Sequence, residues 1–179
     1  MKVTEDRVYF WAGPLGNWSK VRGGIIIPAE LGINGEEITV PTSEHVFMYL
    51  KARFFGDTDT ATKIIKAESP KEAKRLGRLV TGFDDTKWEG YREEAMMTAL
   101  KLRFEYDPRF REFLHSSRFK DKKFVEANPY DHIWSCGYLE DDPRIDMPES
   151  SWPGLNLLGK LLDRLRDETR ISVQPGNIH

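Results

Sequence analysis

Two carboxylates and three indoles stand out for chemistry: Glu44 in "PTSEHVFMYLKARFF", Asp131 in "NPYDHIWSCG", and Trp18, Trp88 and Trp134. Anions can stabilise a sugar carbon that becomes cationic as its bond breaks, and aromatic faces can hold a planar base. With dispersed arginines, the set suits cleavage of a bond between a sugar and a planar base. Each residue also has a plainer reading. A glutamate in a first helical turn compensates the helix dipole. An aspartate in a Pro/Asp/Gly loop closes an Asx-turn, and a tryptophan at helical spacing belongs to an apolar stripe. The stretch "FWAGPLGNWS" is likewise either a staple under a glycine-rich turn or a wall for a planar ring.

Other chemistries lack their residues. The sequence has no Walker loop, Gly-x-Gly-x-x-Gly, His-Glu-x-x-His or Gly-x-Ser-x-Gly pattern. His45, His115, His132 and His179 lack ligand spacing, so no metal and no cofactor is expected. The single cysteine, Cys136, cannot close an intramolecular disulfide, which points to a reducing compartment, the cytoplasm. The N-terminus carries charges where a signal peptide needs an apolar core, and no run of apolar residues is long enough to span a bilayer. With 27 Lys and Arg against 29 Asp and Glu, the net charge of -2 gives no reason to expect tight duplex nucleic-acid binding. The expected partner is a small nucleotide-like molecule.

The elements that must position these residues follow from pattern. At 179 residues the chain is expected to form one domain over 1–170, with a loosely held tail at 171–179. β-Branched runs flank Asn34-Gly35, a dipeptide suited to a hairpin turn. Thr42 is an N-cap, with Val46, Phe47, Leu50 and Phe54 at helical spacing behind it. Glu44, Met48, Lys51 and Phe55 share a second face of that helix, one suited to a cleft. Ser69, Pro70 and Glu72 make a capping box for another helix. Trp88, Tyr91, Ala95, Ala99 and Leu102 mark a longer one, stopped at Asp107-Pro108, and Asp107 caps a short helix. A short strand in "KFVEANPYDHIWSCG" and a leucine-striped final helix complete a mainly α-helical α+β fold with a small N-terminal β element.

The order of "GPLGNW", "PTSEHVFMYLKA", "SPKEAKRLGR", "KWEGYREEAMMTALKLRF", "NPYDHIWSCG" and "GLNLLGKLLDRLR" resembles the YbiA-like, or NADAR, family of N-glycosidases, from about Phe10 to Arg166. The resemblance implies metal-free hydrolysis of N-glycosidic bonds. The family's substrates include ribosylaminopyrimidine phosphates of riboflavin biosynthesis and ADP-ribose attached to guanine. It places the catalytic glutamate at Glu44, a pocket tryptophan at Trp88, and a loop carboxylate at Asp131 beside Trp134. Asn17 and Trp18 match the Asn-aromatic pair of the first loop, and Asn156 and Gly159 the terminal Asn-x-x-Gly step. Gly16 and Ser135 depart from the family's usual serine and glycine, which bears on substrate choice.

On that reading Glu44 orients or deprotonates a water and stabilises the ribosyl cation, and Asp131 positions the ribose or assists the departing nitrogen. Trp18, Trp88 and Trp134 stack on the base. Lys51, Arg78 and Arg103 are candidate phosphate ligands, each also able to serve on a solvated face or in an ion pair. Two other readings stay open: a non-catalytic module that binds ADP-ribose or an NAD derivative, and an interaction domain.

Overall fold

The structure, a computed structural model, describes residues 1–170. The tail expected at 171–179 therefore lies outside the described residues. In chain order the elements are β1 (Lys2–Val3), β2 (Arg7–Phe10), β3 (Ile25–Ile27), β4 (Ile38–Val40), α1 (Ser43–Phe54), α2 (Thr58–Ile65), α3 (Pro70–Gly77), α4 (Asp85–Glu89), α5 (Arg92–Tyr106), α6 (Pro108–Leu114), β5 (Lys123–Glu126) and α7 (Leu157–Arg170). The class is α+β and mainly helical, as the sequence implied. The chain divides into two units: Met1–Leu15 with the chain from Arg111 onward, and Gly16–Phe110.

The first unit is organised by a three-stranded sheet in the order β1-β2-β5. β2 and β5 run parallel, with Val8 opposite Phe124 and Phe10 opposite Glu126. Val8, Tyr9, Phe10, Phe124 and Val125 are all buried, so the central strands read as apolar runs rather than alternations. The sequence reading found β5 but not β1 or β2, because two to four residues are too few to show a period. α7 buries Leu158, Leu161, Leu162 and Leu165 at helical spacing and lies against β5. At Gly159 the two approach so closely that a Cβ would stand 2.1 Å from the Phe124 carbonyl oxygen.

In the second unit β3 and β4 pair antiparallel, Ile25 with Val40 and Ile27 with Ile38. The expected strands are present, but a longer connection through two 3-10 turns replaces the two-residue hairpin turn. Asn34-Gly35 still supplies positive φ, 57° and 71°, and the Tyr49 hydroxyl donates to Leu31 O at 2.7 Å to fix this excursion.

α1 is the centre of the unit and packs against α2, α3 and α5. Its burial is nearly complete from Ser43 to Leu50, so the two faces read from sequence are parts of one enclosed helix, while Phe54 is exposed. Thr42 caps it as expected by accepting the His45 amide, and Ser69 caps α3 by accepting the Glu72 amide. The Glu72 carboxylate turns instead to Arg75, at 2.7 and 2.8 Å, so the capping box is made on one side only. Asp57 caps α2, a helix that the sequence reading left out. The long helix expected from Trp88 is two: Asp84 caps α4, which ends before Gly90-Tyr91, and α5 begins at Arg92. A glycine two residues after the indole costs helix stability, and the break turns Trp88 onto α1.

Candidate active site

Glu44 sits in the first turn of α1, 6 % exposed, with a backbone amide that donates to Asn17 O at 3.1 Å. The same Asn17 carbonyl, together with the Asn17 side-chain Oδ1, shares the Ser43 hydroxyl at 3.2 and 3.1 Å. Asn17 Nδ2 donates to Met96 Sδ of α5 at 3.2 Å. The Gly16-Asn17 turn is thus tied to the N-terminus of α1, where the helix dipole favours an anion. Asn17 fixes where the candidate catalytic carboxylate begins; its own amide is committed to Ser43 and Met96. Trp18, next in the loop, is 48 % exposed.

His45 secures the next position. Its Nε2–H donates to Ala67 O at 2.9 Å, which makes Nδ1 the acceptor of the Thr42 hydroxyl at 2.8 Å. Burial holds its pKa below the ordinary imidazole value, so the neutral ring persists at neutral pH.

Two turns along α1, Lys51 places its ammonium 4.7 Å from the Phe83 ring centre and 5.7 Å from that of Trp88. Its pKa is pushed down, first by burial and then by the Arg78 charge, and pulled up by Glu44. Glu44, Lys51 and Arg78 therefore form one electrostatic group. Arg78 reaches it because α3 ends close to α1: a Cβ on Gly77 would stand 2.1 Å from Met48 Sδ. Trp88 is buried among Phe47, Phe54, Phe55 and Tyr91, with ring centres 5.4 to 6.2 Å away. It backs Lys51 and also belongs to the core. Thus Asn17, Glu44, Lys51, Arg78 and Trp88 come together in the Gly16–Phe110 unit.

Arg103, a candidate phosphate ligand from sequence, lies elsewhere in that unit and is fully buried. It pairs with Asp107 at 3.0 Å, donates to Gly16 O at 2.8 Å and lies 4.4 Å from the Phe110 ring centre. Desolvation lowers its pKa while Asp107 raises it. These contacts keep the guanidinium within the core, where it holds the carbonyl one residue before Asn17.

The other unit carries the rest. Asp131 closes the anticipated turn, Oδ1 accepting the amides of Ile133 and Trp134 at 2.9 and 2.8 Å. Its Oδ2 takes no protein donor among the described residues. Ser135, the departure from glycine, is buried; its hydroxyl accepts the Asn128 amide at 2.7 Å and reaches Glu126 O and Asn128 O. Asn156, expected at substrate, is buried at φ 50°, with Oδ1 accepting the Glu126 amide at 3.0 Å and Nδ2 donating to Phe124 O at 3.1 Å. Asn156 and Gly159 join the start of α7 to β5.

The family description "NADAR domain" matches residues 9–170. This chain belongs to the NADAR family. It is 35 % identical to N-glycosidase R617 of Acanthamoeba polyphaga mimivirus across 77 % of this chain and 80 % of the viral protein. It is 32 % identical to N-glycosidase YbiA of Shigella boydii over 74 % of this chain and 72 % of that protein. It is also 35 % identical to the maize chloroplastic riboflavin biosynthesis protein PYRR over 75 % of this chain but only 20 % of the maize protein. The NADAR member described here is of the N-glycosidase class. Among its described residues no helix is long and apolar enough to cross a membrane.

Sequence reasoning missed Phe83, Ser43 and His45. Ser43 and His45 stood inside the quoted Ser-Glu-His run, but their partners, Asn17 and Ala67, are distant in sequence. Phe83 lies in a loop where no period marks it.

Proposed function

We propose that this protein hydrolyses the N-glycosidic bond between a ribosyl phosphate or ADP-ribosyl group and a planar nucleobase-like amine. One observation carries the reading: the buried Glu44 at the start of α1, whose charge raises the pKa of a Lys51 that lies against two aromatic rings. As the C1′–N bond breaks, positive charge develops on the ribosyl carbon and electrons pass to the leaving nitrogen. Glu44 stabilises that cation and accepts a proton from the attacking water; the leaving amine must gain one. Lys51 and Arg78 receive phosphate, while Trp18 and Trp88 supply aromatic surface for the base.

The maize relative is a riboflavin biosynthesis protein, which favours ribosylaminopyrimidine phosphates as one substrate class. ADP-ribosylated guanine is the other. The reading places the enzyme in a reducing cytoplasm, on its single cysteine. Purified protein is incubated with a ribosylaminopyrimidine phosphate and with ADP-ribosyl guanosine, and free base is measured by mass spectrometry. Release from either, lost in Glu44→Gln, supports hydrolysis; no release, with binding retained, establishes the binding-module reading instead.

A further inference from the structure

Phe83 combines two properties that normally exclude each other: it is 46 % exposed, yet its loop is firmly held. The Thr81 amide donates to Asp57 Oδ2 at 2.9 Å, and Asp57 is fixed in turn by capping α2. Hydrogen bonds from Thr60 and Thr81 keep that carboxylate well below its ordinary pKa, so the anchor stays charged. Gly82 then takes φ 72°, a conformation that carries the chain through a sharp turn, and the Phe83 ring comes to rest 5.3 Å from Phe55 and 4.7 Å from the Lys51 ammonium. A half-exposed phenylalanine in a loop anchored at Thr81, with its ring against Phe55, covers one side of the cation, because the ring face attracts it and removes water there.

We infer that Phe83 is a positioning residue for the proposed anion site: with Trp88 it holds the Lys51 ammonium short of bulk water and limits the direction from which an anionic group reaches it. This rests on the reading that Lys51 receives a substrate phosphate. The charged groups bearing on Lys51 are Arg78 at the end of α3 and Glu44 on α1, whereas Phe83 and Trp88 meet it with rings. A partly dehydrated ammonium interacts more strongly with phosphate than a hydrated one. It also loses its proton at lower pH, burial being the largest cause of the Lys51 shift.

The test measures binding of ribose 5-phosphate by calorimetry from pH 7 to pH 10.5, for wild type, Phe83→Ala, Phe83→Tyr and Lys51→Met, with thermal midpoints alongside. In Phe83→Ala, affinity at pH 7 falls about five- to tenfold, because the uncovered and rehydrated ammonium attracts phosphate less strongly. The alkaline limb moves to higher pH, since burial is the largest cause of the Lys51 shift and uncovering the ammonium relieves it. Phe83→Tyr, which keeps the ring, restores the affinity at pH 7, where its phenol is still protonated. If Lys51→Met binds as wild type does, the anion-site reading fails and this inference with it. If Lys51→Met is weakened while Phe83→Ala keeps wild-type affinity and limb, only the inference about Phe83 is overturned. A weakened Phe83→Ala whose limb stays in place also overturns it, because the ring then acts only as a contact surface.

Discussion

Replacing Arg103 by methionine separates two roles for a buried guanidinium. The substitution keeps most of the apolar stem but removes the ion pair with Asp107 at 3.0 Å, the donor to Gly16 O at 2.8 Å and the cation over Phe110. Asp107 is itself buried, so it becomes a carboxylate with its charge partner gone, retaining the Phe110 amide at 3.1 Å. Breaking one side of a buried pair costs about 3–5 kcal/mol. Arg103→Lys retains the charge without the planar fork and is expected to fall between. Urea unfolding of wild type, Arg103→Lys, Arg103→Met and Arg103→Met/Asp107→Asn measures the costs, and the double variant recovers part of the loss because the stranded charge is gone. A loss below about 1 kcal/mol in Arg103→Met would refute the reasoning. Unchanged stability with weakened ribose 5-phosphate binding would return Arg103 to the phosphate role its sequence suggested.

Further predictions concern separate groups. Glu44→Gln keeps the amide bond to Asn17 O and so preserves the thermal midpoint, while single-turnover hydrolysis falls by roughly 10²–10⁴-fold; retained turnover removes Glu44 from the chemistry. Asn156→Ala removes both side-chain bonds to β5 and lowers stability by about 2–3 kcal/mol with KM unchanged. A raised KM at intact stability would make Asn156 a ligand residue. Asp163, on α7, accepts the Phe124 amide at 3.0 Å, yet burial pushes its pKa up to about 6. The folded chain therefore retains a proton that the unfolded chain has released, and Asp163 subtracts stability as pH rises from about 4 to about 6. Asp163→Asn keeps an acceptor for Phe124, so its midpoint relative to wild type is higher at pH 7.5 than at pH 4.5; equal differences at the two pH values rule this out.

What could be read from the sequence was local. Thr42, Ser69 and Asp107 cap helices because the amide each accepts lies three residues away. Asp131 closes its Asx-turn for the same reason, and Leu158, Leu161, Leu162 and Leu165 repeat with the helical period. Elements escaped notice where the signal was shorter than its period, as in β1 and β2, or where one residue broke it, as Gly90 does between α4 and α5. The roles of Asn156 and Arg103 were hidden differently. Residue type shows that an amide or guanidinium can bind a ligand, but Phe124 and Glu126 consume the one and Gly16 and Asp107 the other. Apart from Asp107, each of those partners is about 30 or more residues away in sequence.

The same distinction explains why the order of motifs carried the family when no single motif did. Glu44 reads as an ordinary first-turn carboxylate until Asn17, 27 positions earlier, is seen to hold its amide and the Ser43 hydroxyl. Gly16, in place of the family's usual serine, contributes its carbonyl to Arg103, a contact that needs no side chain. Ser135, in place of glycine, contributes a hydroxyl that ties Asn128 to the end of β5, so it also acts through the backbone. Of the two departures, Ser135 alters how a loop is held, whereas Gly16 keeps a backbone contact that any residue could make. On the proposed function, an effect of Gly16 on substrate choice passes through the positions of Asn17 and Trp18, and one of Ser135 through that of Asp131; exchanging either for the usual residue is expected to shift KM between the two proposed substrate classes more than kcat for either.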